Sequence, residues 1–277
     1  MATGQIDLEA EYNNRARVPE HPEIISGWMA DASAYRAARS DTALDQPYGD
    51  KPRQVFDMFP AQPGTPEQPR TALFIHGGYW QALDKTAFSH MARGLNAHGF
   101  DVAVANYSLC PDVEIGDIIS EMDALAAHLW RTYGKPLLVY GHSAGGHLAA
   151  ALMATDWAAR DLPEALVDRV MPISGLFDLA PLIPTSINTA LKLTDKSALA
   201  ASPLTWPAPA AGRFCAVVGG DESSEYQRQS RDLASRWNAP GLEGELDIQA
   251  GANHFTVINP LADPGSALTR SLARLGG

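Results

Sequence analysis

The chain has 277 residues, 45% apolar and 19% charged, with a formal net charge of -11, which fits one soluble globular domain. Such an acidic surface repels phosphate backbones and sets nucleic acid aside as a partner. Two cysteines, Cys110 and Cys215, stand far apart in no CxxC pair, which excludes a disulfide framework and a cysteine-rich zinc site.

Residues 1–50 read as helix and turn, with 30–39 (ADASAYRAAR) the best helical stretch. The opening MATGQIDLEAEYNN has neither the basic nor the apolar region of a leader, and no apolar run approaches the roughly eighteen residues of a membrane span. A cytoplasmic protein that uses no membrane is therefore expected. A Pro/Gly connection at 46–51 leads to an alternating strand at 54–59 (QVFDMF), and a proline-rich loop at 60–70 follows.

From Thr71 onward the pattern alternates strand and helix. Apolar runs at 72–75, 102–105, 137–140, 170–173 and 215–218 read as strands, with 246–249 (LDIQ) one more. Helical lengths at 86–97, 115–132, 145–155 and 225–237 separate them. Runs without polar alternation imply strands covered on both faces, as in a parallel sheet flanked by helices. A single α/β domain over 1–277 results. Residues 179–209, with five prolines, break the rhythm and read as a lid-like insertion.

Gly141-His142-Ser143-Ala144-Gly145 fits G-x-S-x-G, between an apolar strand and a small-residue helix. Glycines at 141 and 145 relieve the crowding of a sharp turn, and Ser143 is left at a helix N-terminus as candidate nucleophile. His76-Gly77-Gly78-Tyr79-Trp80 follows an early strand and reads as an oxyanion loop. There Gly77 and Gly78 let the backbone approach a substrate, and the amides of Gly78, Tyr79 and Ala144 are the expected donors. His76 braces that loop. Trp80 and His142 are expected on the substrate pocket, along with Tyr79 and the insertion.

A serine needs a base, and eight histidines compete. His254 follows the last strand, as the order Ser, Asp, His requires. The acid is then sought between them. Asp221, after the run CAVVGG, is the first choice; Glu222 stays open beside it, and Asp178 is the runner-up. No HExxH, EF-hand, Walker A or G-x-G-x-x-G pattern occurs, so no metal and no cofactor are expected.

HGGYW at 76–80, GHSAGGHL at 141–148, SGLFDL at 174–179, GGDES at 219–223 and NHF at 253–255 together resemble the kynurenine formamidase (arylformamidase) branch of the α/β hydrolases. The N-terminal EYNNRA (11–16) shares the likeness. That branch is related to the hormone-sensitive-lipase group of esterases. The resemblance implies an α/β-hydrolase fold with a mostly parallel, eight-stranded sheet, of which seven strands are legible unaided. It implies Ser143, Asp221 and His254 as a triad, and a small-molecule N-formyl aryl amide as substrate. A general carboxylesterase is the alternative. A non-catalytic ligand-binding member would be marked by loss of a triad residue, and none is lost. The fold is also compatible with a homodimer.

Overall fold

The computed structural model describes residues 6–277. Eight strands form one sheet: β1 (Ala43–Pro47), β2 (Val55–Phe59), β3 (Thr71–Ile75), β4 (Val102–Ala105), β5 (Leu137–His142), β6 (Val167–Ile173), β7 (Gly212–Gly219) and β8 (Leu242–Gln249). Their order is β1-β2-β4-β3-β5-β6-β7-β8. β2 runs antiparallel to both β1 and β4, and all later pairs are parallel.

Burial explains which strands the sequence announces. β3, β4 and β5 are buried at every position, so they carry unbroken apolar runs. The edge strands differ. β8 is mostly exposed and reads LEGELDIQ, so only its last four residues are legible as a strand. β1, absent from the sequence reading, is polar and ends in proline, which an edge strand tolerates. It is interrupted where Asp45 takes a positive φ of 52° and the register with β2 shifts.

Helices cover both faces. One side carries Ile115–Tyr133, Ala144–Ala154 and Ser224–Arg236; the other carries His21–Ala37 and Ala267–Gly276. The helix expected at 30–39 begins earlier, at His21, with a proline in its first turn where a missing N–H is harmless. The helix expected at 86–97 is instead two 3-10 turns followed by the four-residue helix Arg93–Asn96. Lys85 there is buried in an ion pair with Asp57 at 2.6 Å, so a tertiary tie fixes the start of this segment.

The insertion holds the helices Asn188–Leu191 and Asp195–Ala200 between 3-10 turns. Leu179, Leu182, Leu191 and Leu193 anchor it in the core. No helix among the described residues is long and apolar enough to cross a membrane.

The packing of β5 on β3 leaves no room for side chains at the turn. A Cβ on Gly145 would stand 2.0 Å from the Ile75 carbonyl oxygen, and one on Gly141 would stand 2.3 Å from that of Gly145. Gly116, in an open part of its helix, would meet nothing within 4 Å. Gly145→Ala should therefore destabilise the fold by about 3 kcal/mol. Gly116→Ala should stabilise it by up to ~1 kcal/mol. Urea midpoints of the two variants check both expectations.

Candidate active site

Ser143 sits between β5 and the helix Ala144–Ala154 at φ 57°, ψ -117°, a strained backbone for a residue with a side chain. Its amide donates to the Ile173 carbonyl at 2.8 Å, and its own carbonyl accepts from the His147 amide at 3.0 Å. Both ends of the turn are thus fixed. The serine side chain is left at the N-terminus of an eleven-residue helix, where the backbone dipole favours developing negative charge.

The oxyanion loop stands directly against it. A Cβ on Gly77 would lie 3.0 Å from Ser143 Cβ and 2.9 Å from the His142 carbonyl oxygen, so only glycine fits there. Gly78, Tyr79 and Trp80 all take positive φ, at 109°, 50° and 54°. Among the described residues the amides of Gly78, Tyr79 and Ala144 have no acceptor. His76 braces the loop as expected: its Nδ1 donates to the Gly77 carbonyl at 2.7 Å, and its ring stacks on Tyr107.

The structure corrects the acid. His254 Nδ1 meets Glu222 Oε2 at 2.6 Å, with both side chains buried. Asp221 is exposed, and its amide is bound to the Ala252 carbonyl. The reason is a tight turn after β7. The Glu222 amide donates back to the Gly219 carbonyl at 3.2 Å, which turns residue 222 inward and residue 221 outward. The other carboxylate oxygen of Glu222 accepts from Ser174 Oγ and from the Gly219 amide at 2.7 Å. Asp178 is no partner of His254 either; its carboxylate accepts from the Ala180 amide at 3.2 Å, a local turn role.

Trp80 is a second correction. It is fully buried, stacked edge-on against His147, and donates its indole N–H to His147 Nδ1 at 3.3 Å. It packs behind the loop and lines no part of the cavity. His142 does line it, and its Nε2 donates to the His254 carbonyl at 2.8 Å, which supports the backbone of the histidine.

Ser143, His254, Gly78 and Tyr79 share one cavity of about 380 Å³. Much of its wall comes from the N-terminal segment, through Tyr12, Asn14, Arg15, Ile25 and Trp28; the insertion contributes only Ser186 and Ile187. Tyr226 was also missed from sequence. Its hydroxyl stands beside Ser143, accepts from Asn14 Nδ2 at 2.9 Å and lies 2.7 Å from the Tyr79 hydroxyl. Burial raises its pKa above the usual tyrosine value, so it is a neutral phenol. It lies on the helix Ser224–Arg236, three residues beyond the GGDES motif, where no motif singles it out. Among the described residues no cluster of side chains could hold a metal ion.

A family model for the α/β-hydrolase fold matches residues 72–211, about half of the chain. The chain belongs to the α/β-hydrolase fold family. Kynurenine formamidase from Danio rerio is 29% identical to this α/β hydrolase, over 98% of the chain and 96% of the relative. Kynurenine formamidase from Drosophila melanogaster is 26% identical, covering 80% and 78%. The likeness noted in the motifs therefore extends over most of the chain. A Silicibacter crystal structure, of a protein provisionally called a thioesterase, is 34% identical with a TM-score of 0.86, covering 97% of this chain and 99% of the other. Esterase B from Lactobacillus rhamnosis shares the fold, at 18% identity and a TM-score of 0.67 over 94% and 96%.

Burial holds the pKa of His76 and His147 down at about 4, and that of His142 well below the ordinary histidine value. In the unfolded chain each would titrate near ~6.5. Below that pH the unfolded state binds the extra protons, so stability is full above it and declines as pH falls toward 4. Each ring should add a slope of about 1.4 kcal/mol per pH unit in that window. Urea unfolding at pH 7 and pH 5 should show the loss; a flat profile would mean that these rings take up protons in the native state.

Proposed function

We propose that this α/β hydrolase is a serine hydrolase that releases formate from an N-formyl aryl amide of the N-formylkynurenine kind, through a formyl-enzyme. The observation that carries the serine mechanism is the buried Glu222–His254 pair sharing one cavity with Ser143 and the free amides of Gly78, Tyr79 and Ala144. The substrate is supported by the formamidases that the chain resembles over most of its length.

The chemistry follows from that arrangement. Glu222 accepts the Nδ1 proton of His254, which leaves Nε2 as the basic nitrogen and stabilises the imidazolium that forms. Ser143 Oγ attacks the formyl carbon while Nε2 takes its proton. The carbonyl oxygen becomes an oxyanion held by the three backbone amides and the positive end of the helix Ala144–Ala154. The tetrahedral adduct collapses, the C–N bond breaks, and His254 protonates the departing arylamine. Water, deprotonated by Nε2, then attacks the formyl ester; formate leaves and the proton returns to Ser143.

Ile25, Trp28 and Phe255 give the cavity an apolar wall suited to an aromatic ring. Cleavage of an ester or thioester would use the same steps, and the Silicibacter relative favours that second reading. Formate release from N-formyl-L-kynurenine, compared with hydrolysis of p-nitrophenyl acetate, separates the two. Ser143→Ala should lower turnover by about 10⁶-fold. Glu222→Gln should cost on the order of 10⁴-fold, as loss of the carboxylate does in other triads, while Asp221→Asn stays within a few-fold. A larger loss in Asp221→Asn than in Glu222→Gln would return the acid role to Asp221.

A further inference from the structure

We infer that the cavity selects substrates carrying a carboxylate on the aryl portion, and that the guanidinium of Arg15 receives it. The inference rests on the hydrolase reading above and names the kind of leaving group that the site prefers.

The observation is an inversion of charge. The chain is strongly acidic, with a net charge of -11, yet no aspartate or glutamate lines the cavity. Histidines aside, its one charged side chain is Arg15. The local fold produces this. Glu9 and Glu11 lie on the helix just before Arg15 and would be its natural partners, but both are turned elsewhere. Glu9 accepts from the Ser186 amide and hydroxyl at 2.8 and 2.7 Å. Glu11 accepts from the Ser224 hydroxyl and the Glu225 amide at 2.6 and 2.9 Å. Arg17, on the same short helix, keeps Glu11 within 4.0 Å. Arg15 has no acidic partner among the described residues.

The backbone beneath Arg15 is also fixed. The Asn13 side chain accepts from the Ala16 amide at 3.2 Å, and Asn14 Nδ2 reaches the Tyr226 hydroxyl beside Ser143. An exposed arginine at the mouth of this cavity, on a backbone held in place and with its donors free, is a fitting receptor for a planar carboxylate. The same cavity would reject a second negative charge less than the rest of this surface does, so the site draws an anionic substrate through an otherwise repulsive field.

The test compares meta-formamidobenzoate with meta-formamidobenzamide, which differ by the charge. Turnover is followed by formate release, and affinity by calorimetry on Ser143→Ala, where nothing is consumed. The benzoate should be preferred about ten-fold in kcat/KM and in affinity, a modest value because Arg15 is exposed. Arg15→Ala should bring the ratio near one, and Arg15→Lys should keep part of it. Arg17→Ala removes the same charge from the same helix and should keep the full preference. Added salt should compress the ratio in the parent and not in Arg15→Ala. No preference in the parent, a preference that survives Arg15→Ala, equal loss in Arg17→Ala, or no binding of either compound would each overturn the inference. Arg15-dependent binding without formate release would sink the formamidase reading and leave the inference standing. Formate release with no carboxylate preference would do the reverse.

Discussion

The site is organised by one strained residue. Ser143 is held in a conformation that costs about 1–3 kcal/mol for any residue with a side chain. It persists because both neighbouring peptide units are tied down and because glycines at 77, 141, 145 and 146 let four pieces of backbone meet around it. Each of those glycines would drive a Cβ into a carbonyl oxygen at 2.9 Å or less. The strain therefore cannot relax by a small shift. The oxyanion loop, the end of β3 and the start of the helix after Ser143 are fixed relative to the serine oxygen by contacts that tolerate no side chain.

The same rigidity governs the histidine on the other side. Glu222 is a buried carboxylate, and a buried charge left without partners would cost several kcal/mol. It has three donors: Ser174, the Gly219 amide and His254. Two belong to the ends of strands β6 and β7, so the carboxylate is positioned by the sheet, and the histidine ring by the carboxylate. His142, adjacent to the serine, closes the circuit by donating to the His254 carbonyl. The turn at Ser143 and the histidine loop are thereby joined by a hydrogen bond outside the sheet ladder.

This explains what could be read from sequence and what could not. Buried strands and glycine-restricted turns leave a signature that depends only on neighbours in the chain, so β3 to β7, the tight turn at Ser143 and the close backbone approach at Gly77 and Gly78 were legible. The choice between Asp221 and Glu222 was not. It depends on a single backbone hydrogen bond, from the Glu222 amide to the Gly219 carbonyl, that decides which of two adjacent acids faces inward. β1 and the first half of β8 were illegible for the opposite reason: exposed edges are free to be polar. Trp80 misled because a large aromatic beside a glycine pair suggests a pocket wall. A positive φ at Trp80 turns it instead into the core, against His147.

The cavity's remaining wall comes from the part of the chain least like the rest of the fold. Residues 8–17 form two short helices that could not be stable alone. They are held by polar bonds to distant residues: Tyr12 to Glu225 and Gln229, Asn14 to Tyr226, Glu9 to Ser186 and Glu11 to Ser224. Most of these anchors lie on the helix that immediately follows Glu222. The segment that roofs the cavity is therefore positioned by the same helix that follows Glu222, and through Asn14 and Tyr226 it reaches the neighbourhood of Ser143. The wall of the cavity and the Glu222–His254 pair are consequently linked through one element. Glu9 and Glu11, the acids of this segment, make two of the anchoring bonds, and their use there leaves Arg15 without an acidic partner among the described residues.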